Sequence, residues 1–181
     1  MAFVNNIVFV RYLGLCPYFG VSKKTGPALG MGMAVIFVML IAAAATWLIN
    51  HYILIPFNVQ FMQIVIFILV ISSLVQITEL FIKRTSATLY NALGIFLALI
   101  TTNCAVLFVT LWNALHDYTF IESIVSALAS GIGFALALIL MSGIRERLEI
   151  ADCPRSMRGL PIAFIAAMML SLALIGLGGM I

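Results

Sequence analysis

The sequence contains very few charged residues. Of its 181 residues, 8% are Asp, Glu, Lys or Arg, whereas 65% are hydrophobic. A soluble domain carries about 25% charged residues, so this scarcity, with a mean hydropathy of +1.24, excludes a water-soluble globule. Four long stretches hold no charge at all: 25–78, 85–116, 123–144 and 159–181. We therefore expect one all-α integral membrane domain over 1–181, with no catalytic site of its own.

Other common signals of function are also missing. No basic stripe with interleaved aromatic residues is present, so we expect no nucleic-acid partner. Two of the three cysteines lie inside apolar runs, which excludes a secreted disulfide framework. The beginning lacks a basic segment and an Ala-x-Ala site, so no cleavable signal peptide is expected. Function must therefore reside in the membrane segments themselves.

The apolar runs predict six membrane segments. The first, 3–16, is about 21 Å long as a helix, too short for a span of roughly 20 residues. Because Pro17 cannot continue a helix and Gly20 permits extended backbone, we expect a half-helix ending at Cys16 and an extended continuation over 17–23. The other five segments are long enough to cross a bilayer: 27–49, 59–82, 90–112, 121–144 and 160–181.

The orientation follows from the distribution of basic residues. Eight of the nine Lys and Arg residues lie in the first, third and fifth loops, and the second and fourth loops hold none. The eight are Lys23, Lys24, Lys83, Arg84, Arg145, Arg147, Arg155 and Arg158. The positive-inside rule places these loops in the cytoplasm and both termini outside.

The two cysteines of the apolar runs relate two halves of the chain. Placing Cys16 on Cys104 divides it into repeats of three segments each, about 1–83 and 90–181. Because three is an odd number of crossings, the halves must be inverted relative to one another. We therefore predict two inverted three-segment repeats whose first and fourth segments are interrupted near the cysteines, at similar depth.

Each half has a Gly-x-Gly pair in the segment that follows its cysteine-bearing segment. Gly30 and Gly32 form one pair, and Gly131 and Gly133 form the other. A bare Gly-x-Gly in a membrane helix is no phosphate loop, so we expect these residues to permit close helix packing.

Cys16 and Cys104 are the candidate metal ligands. One cysteine in an apolar helix is usually a small buried hydrophobe, but two at matching helix breaks favour thiolate ligation. Thiolates select iron–sulfur clusters, zinc or copper, and a 2Fe-2S or 4Fe-4S cluster needs four ligands. The other two must come from another polypeptide or a second copy. Cys153, in a charged loop, is expected to be a bystander.

Four polar residues have two interpretations or more. Thr102 and Asn103 would donate hydrogen bonds to cluster sulfurs, or bond back to their helix. Glu79 would form part of an ion path, or an ion pair with Lys83 four residues later. Arg11 would snorkel, face a partner, or lie near the cluster.

Several motifs together resemble one family. They are Leu-Gly-Leu-Cys-Pro at 13–17, Gly-Val-Ser-Lys-Lys at 20–24, Leu-Ile-Thr-Thr-Asn-Cys at 99–104 and Gly-Ile-Arg-Glu-Arg-Leu at 143–148. Over almost its whole length the chain is similar to the Rnf A proteins, membrane components of an ion-translocating ferredoxin:NAD oxidoreductase. Rnf E and the D and E components of the sodium-pumping NADH:quinone reductase (Nqr) share the fold and the paired cysteines.

This resemblance implies a function in electron transfer. Cys16 and Cys104, with two cysteines of the E-type partner, would hold a 2Fe-2S cluster in mid-membrane. The cluster would relay electrons between the cytoplasmic iron–sulfur and NAD-side proteins Rnf B and Rnf C and the flavin proteins Rnf D and Rnf G, coupled to Na⁺ or H⁺ movement. The location implied is the bacterial inner (plasma) membrane.

Three alternatives remain at this point. The chain would be an E-type Nqr component, a small inverted-repeat secondary transporter, or a structural scaffold. A transporter predicts a polar midplane site rather than thiols. A scaffold leaves both thiols without a role. The midplane offers two cysteines and few charges, which favours electron transfer.

Overall fold

The chain is helical throughout most of the part that the structure describes. The computed structural model describes residues 6–22, 25–54, 60–85, 99–100, 102–150 and 159–178. Its helices are α1 (Ile7–Arg11), α2 (Leu15–Val21), α3 (Thr25–Ile49), α4 (Gln63–Thr85), α5 (Cys104–Leu115), α6 (Phe120–Ile150) and α7 (Leu160–Gly178). A π-helical turn, Asn50–Leu54, extends α3, and a 3-10 turn, Gln60–Met62, precedes α4.

The long helices agree with the apolar runs. By length and composition, Thr25–Leu54, Gln63–Leu80 and Phe120–Leu148 are able to cross a bilayer, and α5 and α7 are shorter apolar helices. α6 continues beyond the predicted end at 144, because Arg, Glu and Leu are good helix formers and neither Gly nor Pro interrupts them before Ile150. The six-segment inverted repeat stays a prediction, since residues 86–98 lie outside the described part.

α3 and α6 form the central antiparallel pair. Gly32 of α3 faces Ala135 of α6, and Gly131 of α6 faces Ile36 of α3. A Cβ atom at Gly32 would lie 3.0 Å from the Ala135 Cβ, and one at Gly131 would lie 3.0 Å from the Ile36 Cγ1. Small residues at these positions let the two backbones approach closely. The predicted packing role is therefore confirmed for Gly32 and Gly131.

The remaining helices surround this pair. α1 and α2 pack on α6, α5 packs on α3 and α4, and α7 packs on α1 and α6. Their shared core includes the buried side chains of Tyr18, Met39, Phe67, Phe134 and Leu138. α4 and α7 carry many exposed apolar residues, as expected of surfaces that meet lipid or a partner protein.

The first segment departs from its prediction. It breaks before Cys16, at Tyr12–Gly14, and residues 17–21 are helical rather than extended. Pro17 is tolerated because it is the third residue of α2, where a helix has no partner for the backbone N–H that proline lacks. The Tyr18 N–H donates to the Gly14 carbonyl at 3.3 Å and closes the first turn.

Candidate functional site

The break between α1 and α2 requires a glycine at position 14. Tyr12 and Gly14 both have left-handed backbone, with φ of 54° and 80°. A Cβ atom at Gly14 would lie 2.7 Å from the Phe134 Cε2, a distance that forces a shift in the packing. Gly14 therefore supplies both the backbone conformation and the space that the break needs.

Cys16 follows this break directly. It is the second residue of α2, and its side chain is exposed. The sequence placed this thiol at the end of a half-helix, whereas it lies in the first turn of the helix that follows. Its nearness to an interruption of the first segment is confirmed.

Cys104 occupies a similar position in the second half. It is the first residue of α5, and its side chain is also exposed. Asn103 caps this helix, since its Oδ1 accepts a hydrogen bond from the Ala105 N–H at 3.0 Å. Residues 102–103 are not helical, which confirms an interruption beside Cys104. The outer part of the predicted fourth segment, 90–98, lies outside the described residues.

The fold brings the two cysteine segments together. The Gly14 N–H donates to the Cys104 Sγ at 3.0 Å, and Cys16 follows Gly14 by two residues. Gly14 also packs against Phe134, which stands near the middle of α6. Both cysteine segments therefore adjoin α6 at about half of its length. Their similar depth in the membrane stays a prediction.

The surroundings of Cys104 suit a negatively charged sulfur. The positive end of the α5 dipole points at this residue. The Asn103 Nδ2 is buried and has no hydrogen-bond partner in the described part of the chain. Such an orphaned donor costs about 1–3 kcal/mol, a cost that a sulfur acceptor beside it would remove. The prediction that Asn103 donates to a cluster therefore concerns its Nδ2, because its Oδ1 accepts the capping hydrogen bond. It stays a prediction.

A recess next to Cys104 offers room for a group that a partner would share. It has a volume of about 280 Å³ and is lined by Cys104, Thr102 and Asn103 together with residues of α4 and α5. Within the described residues, no three or more His, Cys, Asp and Glu side chains form a metal-binding group. Cys16 and Cys104 would supply two of the four thiolates that a 2Fe-2S cluster needs.

Arg145 and Glu146 hold the connection between α2 and α3. The Arg145 Nη1 donates to the Phe19 carbonyl at 2.8 Å and to the Ser22 Oγ at 2.9 Å. The Glu146 Oε1 accepts from the Thr25 N–H at 3.1 Å and its Oγ1 at 3.0 Å. A cation thus meets the end of one helix and an anion the beginning of the next, the charges that each helix dipole favours.

Sequence reasoning missed this role. It used Arg145 and Glu146 only as part of a motif and as topology signals. The available signal was their position: they follow a long apolar run directly, while Ser22 and Thr25 flank the helix junction that needs capping partners.

Arg11 has a local role that the sequence left open. Its guanidinium carbon lies 5.4 Å from the centre of the Phe108 ring and 5.2 Å from that of Trp112. Both rings belong to α5, so Arg11 joins α1 to the helix that begins at Cys104. Cation–π contacts of this kind contribute about 0.5–2 kcal/mol.

Two other candidates from the sequence, Glu79 and Cys153, remain predictions. Glu79 is half-buried on α4, and the side chain of Lys83, its proposed partner, is outside the described part. Its role in an ion path stays a prediction. Cys153 also lies outside the described residues.

Comparison with known proteins decides the family. The family described as "Rnf-Nqr subunit, membrane protein" matches residues 1–181. The chain belongs to this family. It is therefore a membrane protein of the Rnf-Nqr type, and the family resemblance read from its motifs is confirmed.

Three curated relatives show how similar these family members are. The A component of the proton-translocating ferredoxin:NAD(+) oxidoreductase complex of Clostridium ljungdahlii is 49% identical over 178 residues, covering 98% of this chain and 92% of the relative. The A component of the Na(+)-translocating ferredoxin:NAD(+) oxidoreductase complex of Acetobacterium woodii is 48% identical over 178 residues, covering 98% and 93%. The A component of the ion-translocating oxidoreductase complex of Aeromonas hydrophila is 51% identical over 178 residues, covering 98% and 92%.

Proposed function

We propose that this chain is the A-type membrane component of an ion-translocating ferredoxin:NAD oxidoreductase complex. Its Cys16 and Cys104, with two cysteines of an E-type partner, hold a 2Fe-2S cluster. The proposal is supported by relatives of about 50% identity that are named as A components of such complexes. It makes the chain part of a translocase, without a catalytic site of its own.

The observation that carries the proposal is the pairing of two exposed thiols at two helix breaks. The Gly14 N–H donates to the Cys104 Sγ at 3.0 Å, and Gly14 precedes Cys16 by two residues. The helix break at Gly14 therefore adjoins both cysteines. Cysteines that serve only as packing residues are usually buried, whereas Cys16 and Cys104 are both exposed. Exposure suits ligands that a second protein must complete.

The donors around the thiols support the same assignment. Hydrogen bonds to ligating sulfur raise the reduction potential of a cluster. The Gly14 N–H already donates to the Cys104 Sγ, and the residue before Cys104, Asn103, has a buried donor, Nδ2, without a partner in the described part of the chain. Thr102 lines the recess and is a candidate for the same role.

A cluster here would divide the path across the membrane. When bound, a 2Fe-2S cluster accepts and releases one electron. The hydrocarbon core is about 30 Å thick, so a mid-membrane position leaves roughly half of that distance on each side. Electrons would pass between the cytoplasmic proteins Rnf B and Rnf C and the flavins of Rnf D and Rnf G, with Na⁺ or H⁺ transport coupled to the transfer.

The two inverted three-segment repeats, about 1–83 and 90–181, would pair with the similar repeats of the partner around the cluster. The inner bacterial membrane, with both termini outside, agrees with the loop charges. The proposal includes an ion path through Glu79 of α4.

Substitution of single cysteines in the assembled complex tests the proposal. Cys16→Ala and Cys104→Ala each remove little volume, so as packing residues they would cost at most about 1–2 kcal/mol. As ligands, either change should remove the iron of one 2Fe-2S cluster, measured by iron analysis of the purified complex, and stop ferredoxin:NAD activity. Cys153→Ala is the control and should retain both. Full iron content and activity in Cys16→Ala and Cys104→Ala would overturn the proposal and favour a transporter.

A further inference from the structure

A second polar cavity lies at the far end of α5, away from Cys104. It has a volume of about 260 Å³ and lies between α3, α4, α5 and α6. Asn113, one of its lining residues, follows Cys104 by about 14 Å along the helix axis. We call it the acceptor cavity and define it by the lining residues Thr46, His51, Thr110, Asn113, Asp117 and Thr119. Water-sized occupants fit easily in such a volume.

Three of the hydroxyl groups that line this cavity, those of its threonines, donate their protons to acceptors within the protein. The Thr46 Oγ1 donates to the Ala42 carbonyl at 2.6 Å, and the Thr110 Oγ1 donates to the Leu107 carbonyl at 2.9 Å. The Thr119 Oγ1 donates to the Glu122 Oε2 at 2.8 Å. A hydroxyl has one proton and two lone pairs, so what remains for an occupant is acceptor capacity.

Asn113 adds an acceptor that lacks a partner. Its side chain is buried, with 5% exposed, and its Oδ1 has no hydrogen-bond partner in the described part of the chain. Its Nδ2 donates to the Ser123 Oγ at 2.9 Å and contacts the Ser123 carbonyl at 3.3 Å. Because a carbonyl only accepts, this contact fixes which side of the amide is the nitrogen. The free atom is therefore an oxygen.

The lining of the cavity includes one acidic residue, Asp117, and one histidine, His51. The negative end of the α5 dipole also lies here. Neither Lys nor Arg is among the described lining residues. Oxygen ligands of this kind suit hard cations, and a single carboxylate suits a monovalent ion better than Ca²⁺, whose sites usually combine several.

We infer that the acceptor cavity binds a sodium-class monovalent cation on its way through the complex. The inference rests on the proposed function in an ion-translocating complex. α5 would then carry the cluster ligand Cys104 at one end and the ion site at the other. A single rigid helix would connect the electron carrier to the transported ion.

The chain offers a matched pair of variants for the test. Thr46→Val and Thr78→Val both replace a threonine whose Oγ1 donates to a carbonyl four residues earlier, but only Thr46 lines the cavity. Asn113→Leu removes the free acceptor as well. The measurement is equilibrium binding of ²²Na⁺ to the purified complex, with choline chloride holding the ionic strength constant.

We expect Thr46→Val and Asn113→Leu to weaken Na⁺ binding at least tenfold and Thr78→Val to leave it unchanged. If Asn113→Leu prevents assembly, Thr46→Val alone decides the outcome. Equal binding by Thr46→Val and Thr78→Val, or no Na⁺ binding by the wild type, would overturn the inference and leave a water-filled cavity. Neither result touches the iron content set by Cys16 and Cys104, so the failure of this inference is distinct from that of the proposed function.

Discussion

We call the two hydrogen bonds from Arg145 to Phe19 and Ser22 the clamp. It should determine how firmly α2, which carries Cys16, is held against α6. Arg145→Met keeps a long side chain but removes the guanidinium. It therefore removes the hydrogen bonds at 2.8 and 2.9 Å to the Phe19 carbonyl and the Ser22 Oγ. Hydrogen bonds to a charged group contribute about 1.5–3 kcal/mol each, a gross loss of about 3–6 kcal/mol. Relief from burying a guanidinium that is only 8% exposed offsets part of this loss. We expect a net destabilisation of about 2–4 kcal/mol.

The consequence is measurable at Cys16 itself. The purified complex is heated in steps and is treated briefly with a maleimide at each temperature. The fraction of Cys16 that is alkylated is then measured by mass spectrometry. Cys16 is exposed in this chain but would be covered by the cluster and the partner in the complex, so Arg145→Met should make it reactive at a lower temperature than in the wild type. Arg145→Lys, which keeps the charge but loses the fork of donors, should fall between them. Arg147→Met is the control, because Arg147 is exposed on the same helix.

One result would contradict the proposed restraint of α2 by Arg145. If Cys16 in Arg145→Met is alkylated at the same temperature as in Arg147→Met, the two hydrogen bonds do not restrain α2. The cysteine pairing would then depend on the Gly14 break alone.

Three further predictions concern the break, the cap and the topology. Gly14→Ala should destabilise the complex by about 1–3 kcal/mol in thermal unfolding, because of its φ of 80° and the contact with Phe134, whereas Gly143→Ala, with nothing near its added Cβ, should not. Equal unfolding temperatures would contradict the strained break. Asn103→Asp keeps the cap of α5 but lacks the Nδ2 donor, so the complex should assemble with a lower cluster potential in a redox titration, and an unchanged potential would exclude Nδ2 as a donor to sulfur. A reporter that works only in the cytoplasm should be silent when fused at Ile181, and a signal there would reverse the predicted orientation.

Much of the architecture could be read from the sequence because the bilayer imposes simple rules. Charge-free runs located the long helices, and the small residues Gly32 and Gly131 indicated the close packing of α3 against α6. Two cysteines at comparable interruptions pointed to one site, and the fold places Gly14 against the Cys104 Sγ. These features depend on composition and on local backbone preference, which the sequence records directly.

The local form of the first break could not be read in the same way. Pro17 suggested the end of a helix, yet proline is equally suited to a first turn, and only tertiary packing distinguishes the two. Phe134 leaves space for a glycine alone at position 14, so the break falls there rather than at Cys16. The hydrogen bond from Arg145 to the Phe19 carbonyl joins residues that are distant in sequence, so the position of Arg145 after an apolar run does not by itself identify its partner.

The central claim, that Cys16 and Cys104 are cluster ligands, is tested most directly by exchanging sulfur for oxygen. The electron paramagnetic resonance spectrum of the reduced complex is compared between the wild type and Cys104→Ser, using the signal absent from Cys104→Ala to isolate this cluster. A serine oxygen in place of a thiolate is a harder ligand and should change the g values of that signal and lower its midpoint potential. A spectrum and potential identical to the wild type in Cys104→Ser would show that Cys104 does not ligate the cluster.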